Sequence, residues 1–319
     1  MRVSVVFGVF AAAGILCCPE HSTMAGSSEF TLSQRPDRVE IALDGRPFTA
    51  FHFNPKWDKP FLHPIRTVSG TIISRGWPVE PREGDEQDHA WHRGIWYGHG
   101  DINGEDFWRE KPDRTTARLV LIGEPKVTSG TQGILEATLA MTGAKGNRLG
   151  TIAERYEFRR ESSQVLIAST IAITAGQGLP LKFGDTEDGG FGFRLSTEFR
   201  QDRGAELVNS EGLRGTERIW GRQARWVKYR AVVDGAHRGV AVLDHPSNLR
   251  HPSGWHARGY GLCSANPFAA GSFSSDKKLD GSYILPAGQT LKLRYLVVVF
   301  DEDLEADAAN RLFARFARE

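Results

Sequence analysis

Cysteine is almost missing from this chain, with 3 in 319 residues: Cys17, Cys18 and Cys263. Cys17 and Cys18 fall in an apolar amino-terminal stretch. If that stretch is removed, Cys263 stands alone, and no intrachain disulfide can form. Nor can a zinc site built on four cysteines, or on two cysteines and two histidines. A lone thiol of this kind is expected to be a small buried hydrophobe. An excess of charge is missing too. Forty basic against 39 acidic side chains leave a formal net charge of +1, which gives no electrostatic reason to expect nucleic acid as a partner. Long apolar runs are absent after residue 25 and mean hydropathy is −0.37, so no membrane span is expected in the mature chain. Repeats, coiled-coil heptads, low-complexity blocks and a mid-chain linker are all lacking, and residues 26–319 are read as a single domain. The chain does hold 40% hydrophobic and 10% aromatic residues, enough to bury a large core.

The first 25 residues stand apart. Arg2 gives a positive start, VSVVFGVFAAAGILCC (3–18) is apolar but short for a membrane span, and Ala25 and Gly26 suit a signal peptidase. Residues 1–25 are therefore read as a signal peptide, which places the mature protein in the periplasm or outside the cell. Lipidation at Cys17 or Cys18 is an alternative that Leu16 fits poorly. An uncleaved, buried segment is another.

Most of the remainder alternates apolar and polar residues. RVEIALDGRPFTAFHF (38–53) carries Asp44-Gly45 between two such runs, and VVDGAHRGVAVLD (232–244) repeats the pattern; both read as hairpins. Segments 133–141, 153–160, 165–174 and 285–300 continue the period of two. Frequent Gly and Pro punctuation makes the expected fold all-β, a large antiparallel β-sandwich. Only the tail is helical: Leu304, Ala308, Leu312 and Phe316 form a stripe suited to a sheet edge, with Asp301 or Asp303 as cap.

Four polar clusters carry the chemistry. DHAWHRGIWYGHGDINGEDFW (88–108) holds His89, His92 and His99 with Trp91, Trp96, Trp108, Arg93, Asp101 and Asn103. Three readings fit it: a metal site on His89, His92 and His99, histidines bonded to core carbonyls, or an aromatic wall that stacks on sugar rings while polar groups take hydroxyls. The last suits the company best. KPFLHPIRTVSG (59–70) brings His63 and Arg66, the latter an anion ligand or a salt-bridge partner. FGDTEDGGFGFRLS (183–196) brings Asp185, Glu187, Asp188 and Arg194, whose carboxylates serve either acid–base chemistry or a turn before glycine. DHPSNLRHPSGWHARGYGLCSANPF (244–268) contributes His245, Asn248, His251, Trp255, His256 and Asn266 on a proline-broken loop. A sandwich would bring the two histidine-rich segments to one open face.

In this order the motifs HPIRTVSG, DHAWHRGIWYGHGDINGEDFW, GDTEDGGFGFR and DHPSNLRHPSGWHARGYGLCSANPF resemble a soluble bacterial family labelled "methane oxygenase PmoA", over residues 38–300. The label fits badly, because the genuine membrane methane monooxygenase subunit is a multi-helix integral protein. The resemblance implies an exported, β-rich protein of carbohydrate-degrading bacteria, similar in fold to the supersandwich of galactose mutarotases. It marks His63, Arg66, His89, His92, Arg93, His99, Asp101, Asn103, Asp185, Arg194, His245, Asn248 and His251 as family positions. The family's usual GDTKEG is GDTEDG here, so Asp188 replaces a glutamate one methylene longer.

The resulting expectation is a carbohydrate-active enzyme acting on a glycoside or oligosaccharide. His89, His92, His99, Asp185 and Asp188 would carry protons. His63, Arg66, Trp91, Arg93, Trp96, Asp101, Asn103, Arg194, His245, Asn248, His251 and Trp255 would bind substrate, and no cofactor is expected. Hydrolysis, elimination and epimerisation all fit. A non-catalytic carbohydrate-binding protein and a metal-dependent oxygenase or hydrolase are the alternatives.

Overall fold

The structure, a computed structural model, describes residues 1–4, 29–111, 113, 115–276 and 278–319. The proposed signal peptide lies outside the described residues apart from its first four. Five strands open the fold: β1 (Phe30–Gln34), β2 (Arg38–Leu43), β3 (Arg46–His52), β4 (Phe61–Leu62) and β5 (Ile95–His99). A meander follows: β6 (Arg118–Leu121), β7 (Lys126–Thr128), β8 (Gln132–Thr142), β9 (Arg148–Glu161) and β10 (Gln164–Ala175). Then come β11 (Leu181–Phe183), β12 (Gly189–Arg194), β13 (Glu206–Asn209), β14 (Trp226–Val233) and β15 (Ala236–Asp244). The series ends with β16 (Gly254–Ala257), β17 (Leu262–Asn266), β18 (Tyr283–Leu285) and β19 (Thr290–Asp301). Two helices, α1 (Thr216–Ile219) and α2 (Ala306–Phe316), complete the set.

The strands form two large antiparallel sheets, as the alternation predicts. One has the order β1-β2-β3-β4-β5-β12-β17-β16, the other β13-β14-β15-β19-β10-β9-β8-β6, with β7 beside β8 and a separate β11-β18 pair. Both expected hairpins form. Asp44 and Gly45 join β2 to β3 at φ 50° and 73°, and Asp234 and Gly235 join β14 to β15 at 51° and 74°, as tight turns between twisted strands require.

Between the sheets lies one continuous apolar cluster. Val39, Phe51, Tyr97, Phe191, Phe193 and Cys263 come from the first sheet, and Leu139, Ile152, Tyr156, Ile171, Val242, Tyr295 and Val297 from the second. Cys263 is a free, buried thiol here. The tail helix departs from expectation in two ways. It packs on the outer face of the second sheet, where Leu304, Ala309 and Phe316 meet Leu166, Trp226, Leu243, Leu296 and Val298, rather than on an edge. Its cap position is Glu305 with no side-chain bond. Asp301 instead binds the Ser69 amide at 2.8 Å, and Asp303 is held by Lys228 at 3.0 Å. Among the described residues no helix is long and apolar enough to cross a membrane.

The outer face of the first sheet carries a second aromatic layer. Phe61, Trp96, Trp108 and Leu262 are buried there under Trp57, Val79, Trp91 and Tyr260. Trp91 and Tyr260 of this layer also line a cleft.

Candidate functional site

Strands β5, β12, β17 and β16 are neighbours, so the loops at their ends meet although they lie far apart in sequence. The loop before β5 brings His89, Trp91 and His92, and the loop before β12 brings Glu187 and Asp188. His256 sits on β16, and Arg258 and Tyr260 on the turn that follows it. Together with Arg109, Arg200, Gln201, Asp202, Thr216 and Glu217 they line an open cleft of about 870 Å³.

One wall is a column of four rings. Tyr260 stacks on His89 (centroids 5.8 Å, planes 8° apart), His89 on His92 (4.9 Å, 3°) and His92 on Trp96 (5.2 Å, 14°). Trp91 meets His89 edge-on at 5.4 Å. His92 is buried, with neither ring nitrogen bonded to protein. Burial pushes its pKa well below the ordinary histidine value, with nearby Arg194 adding to the effect, so its ring is neutral.

His89 sits in the left-handed region at φ 44°, an arrangement that needs outside support. Two buried arginines supply it. Arg75 donates to the carbonyls of Asp88 (2.7 Å), His89 (2.9 Å) and His92 (2.9 Å) and to the Asp88 carboxylate (2.6 Å). Arg194 donates to both Asp88 oxygens at 2.7 and 3.1 Å and to Glu86 at 3.0 Å. Asp88 Oδ2 in turn pairs with His89 Nδ1. Burial alone would raise the Asp88 pKa, but the bonds from His89, Arg194 and Arg75 more than offset it and hold the carboxyl below its usual range. Asp88 is thus an ionised orienting group, and His89 Nε2 is the nitrogen left to exchange a proton.

The same cleft holds Asp188. Burial raises its pKa, against the pull of Arg109, which pairs with Oδ2. His256 Nδ1 lies 3.8 Å from Oδ1. Arg258 Nε donates to His256 Nε2 at 2.9 Å, so the ring proton sits on Nδ1 and faces Asp188. Burial, helped by Arg258, lowers the His256 pKa to about 3. Arg258 also pairs with Glu187 at 3.1 Å.

Four of the expected residues, His89, Trp91, His92 and Asp188, therefore share one cleft. The others lie elsewhere, for legible reasons. His99 is fully buried against Phe183 and Phe268 and bonds the Gly184 carbonyl at 2.9 Å, so the expected proton carrier is a core histidine. Asp185 accepts the amides of Gly271, Ser272 and Gly281 at 2.6, 2.8 and 2.6 Å. Burial would raise its pKa, but these bonds lower it, and the group pins a loop instead of facing the cleft. Trp96 is the floor beneath His92, and Arg194 is the clamp beneath Asp88. Arg93 is buried on Glu110 and over the rings of Trp57 and Phe61. Asp101 and Asn103 brace a turn on a third hollow, bonding the Gly104 amide at 2.9 Å and the Pro180 carbonyl at 3.1 Å.

The fourth cluster splits. Asn248 and His251 bond the Asp244 carboxylate at 2.6 and 2.9 Å, and His245 bonds Arg294 at 2.9 Å. His245 and His251 pack against Phe316 and Phe313 of α2, away from the cleft. Trp255 is buried and donates to the Ala224 carbonyl at 2.8 Å. His63 and Arg66 line a separate groove. His89, His92 and His99 do not converge: His99 is elsewhere, and stacked rings aim their lone pairs along parallel planes. No group of three or more His, Cys, Asp or Glu is placed to hold a metal ion among the described residues.

The cleft also recruits residues with little or no signal of their own. Arg258 and Tyr260 lie inside the quoted motif GWHARGYG beside His256, where the run of polar and aromatic residues marked the segment but not the side chains. Arg109 follows directly on the quoted segment 88–108, and Arg200 and Glu217 come from stretches that the sequence does not set apart.

The chain belongs to a family of unknown function (DUF6807), whose model matches residues 38–314. No curated protein matches it. Similar solved structures include a polysaccharide lyase, BACCELL_00875, at 13% identity and TM-score 0.35, covering 91% of this chain and 35% of that one. Another is the Slr1438 protein from Synechocystis sp. PCC 6803, at 12% identity and TM-score 0.35, covering 86% of this chain and 95% of that one. A third is a GH36 alpha-galactosidase from Geobacillus stearothermophilus in complex with raffinose, at 12% identity and TM-score 0.27, covering 86% and 41%. This chain thus spans about a third of the length of the lyase. None of these comparisons carries the methane oxygenase description.

Proposed function

We propose that the protein is an exported carbohydrate-active enzyme that acts on a glycoside by acid–base chemistry. The observation that carries this reading is the presence in one cleft of an oriented imidazole, His89 backed by Asp88, and a carboxyl of raised pKa, Asp188. An imidazole and a carboxyl in one cleft suit opposite proton-transfer roles. His89 Nε2 would take or give one proton and Asp188 the other, while half-buried Trp91 offers a face to a sugar ring. Arg109, Arg200 and Arg258 pair with Asp188, Glu86 and Glu187, so the cleft is rich in charged groups that bond hydroxyls.

The test is turnover on a panel of glycosides and polysaccharides, read both as new reducing ends and as unsaturated product. His89→Gln and Asp188→Asn should each lower kcat by about a hundredfold or more. Unchanged rates in both variants would sink the proposal. The pairing of Arg109 with Asp188 favours a second reading, a non-catalytic carbohydrate-binding protein, because it occupies the carboxylate that would carry the proton. That reading expects saturable sugar binding with no turnover from the wild type.

A further inference from the structure

A second concavity, of about 580 Å³, lies toward the β1–β3 end of the same sheet and is lined in part by Thr49, His63, Arg66 and Glu80. Three polar groups there lack the partners that folded interiors normally supply. The His63 Nε2 and Thr49 Oγ1 atoms are buried and bonded to nothing in the protein. Arg66 is half-buried, reaches only the Phe48 carbonyl, at 3.4 Å, and has no carboxylate oxygen within 4.0 Å among the described residues.

The direction of the His63 proton follows from its neighbour. Ser74 Oγ accepts the Ile65 amide at 2.9 Å and lies 3.5 Å from His63 Nδ1. The serine hydrogen is free for Nδ1, and a ring that accepts it carries its own proton on Nε2 as a donor. Burial keeps this ring neutral. The residues that line the groove thus include a guanidinium fork, an imidazole and a hydroxyl, the kinds of group that bind a carboxylate. The carboxylates of Asp37 and Glu40 on the same wall are already answered by Arg38 and Arg35. Exposed Glu80 alone is left to oppose an anion.

We infer that this groove is a second binding site, separate from the cleft, for a hydroxylated carboxylate of uronic-acid size held by Arg66, His63 and Thr49. The volume exceeds what a bare carboxylate needs, and the hydroxyls and amides around it suit a polyol body. This inference does not depend on the catalytic reading of the cleft.

Calorimetric titration with sodium D-glucuronate and with D-glucose tests it. Glucuronate should bind saturably at one site, and glucose at least tenfold more weakly. Arg66→Gln should weaken glucuronate about tenfold or more, and the isosteric Thr49→Val several-fold. Thr49→Val keeps the test intact if the Arg66 variant fails to fold. Glu80→Gln should tighten binding by removing the opposing charge, and Asp188→Asn in the cleft should leave it unchanged. Absence of glucuronate binding, equal binding of glucose, or indifference to Arg66→Gln and Thr49→Val would overturn the inference. So would weaker binding in Glu80→Gln, or loss of binding in Asp188→Asn, which would return the ligand to the cleft.

Discussion

Arg75 shows how much of the cleft rests on a side chain that never faces it. The guanidinium is almost fully buried and donates to the carbonyls of Glu86, Asp88, His89 and His92 as well as to the Asp88 carboxylate. A lysine in its place has no planar fork with which to reach these acceptors. Arg75→Lys should lower the unfolding free energy by about 3 kcal/mol, measured by urea denaturation, and should reduce any turnover with it. A loss under about 1 kcal/mol would mean that other contacts hold the loop. The sequence marked DHAWHRG as a dense polar segment because its histidines, acid and tryptophan stand so close together. It did not mark Arg75, one arginine in IISRGW, because a single cation beside apolar residues has no periodicity or spacing to betray a buried role. His99 misled for the converse reason: it shares the quoted segment 88–108 with His89 and His92, whereas its place in β5 turns it into the core.

At the scale of elements, period-two alternation was a reliable guide, since each long strand has one face against the common core. Short strands were harder to read. β4 has only two residues, Phe61 and Leu62, and is defined by where β5 approaches rather than by any pattern of its own. Gly94 marks that approach: at φ 50° it lies so close that a Cβ would overlap the Leu62 carbonyl oxygen and press on His63. Gly104, by contrast, has φ +81°, and a Cβ added there would meet no atom within 4 Å. Gly104→Ala should therefore cost about 1 kcal/mol from backbone conformation alone. Gly94→Ala adds an overlap with rigid backbone and should cost about 3 kcal/mol or more. Thermal unfolding of the two variants tests this ordering, and equal losses would refute it. The cap of α2 was misread because Asp301 and Asp303 are drawn into bonds with distant strands, which the local sequence cannot reveal.

At the scale of the whole molecule, the alternation along β9 conceals an acid among core residues. Glu154 points inward with Ile152, Tyr156 and Phe158, and Tyr156 donates to it at 3.1 Å. Burial raises its pKa to about 8, a shift that the Tyr156 bond only partly opposes. The folded protein therefore holds this proton more tightly than the unfolded chain. Its contribution to stability is complete below the ordinary glutamate pKa and is lost as pH rises toward about 8. The loss is about 1.4 kcal/mol per pH unit at most. Glu154→Gln should remove this dependence: denaturation midpoints of wild type and variant should diverge between pH 5 and 8 in the variant's favour. Parallel curves would show that Glu154 is ionised or reached by water. The meeting of distant segments in one cleft was legible in outline, from histidine-rich loops punctuating a sandwich. Which histidines met was not, because that depends on strand order, and β12 and β17 come to lie between β5 and β16 only in three dimensions.

The stretch from Val79 to His92 borders both concavities, with Val79 and Glu80 on the groove and His89, Trp91 and His92 on the cleft. A ligand that shifted this stretch from one side would change the shape met by a ligand on the other. Thermodynamic reciprocity then requires each occupant to alter its counterpart's affinity by the same factor.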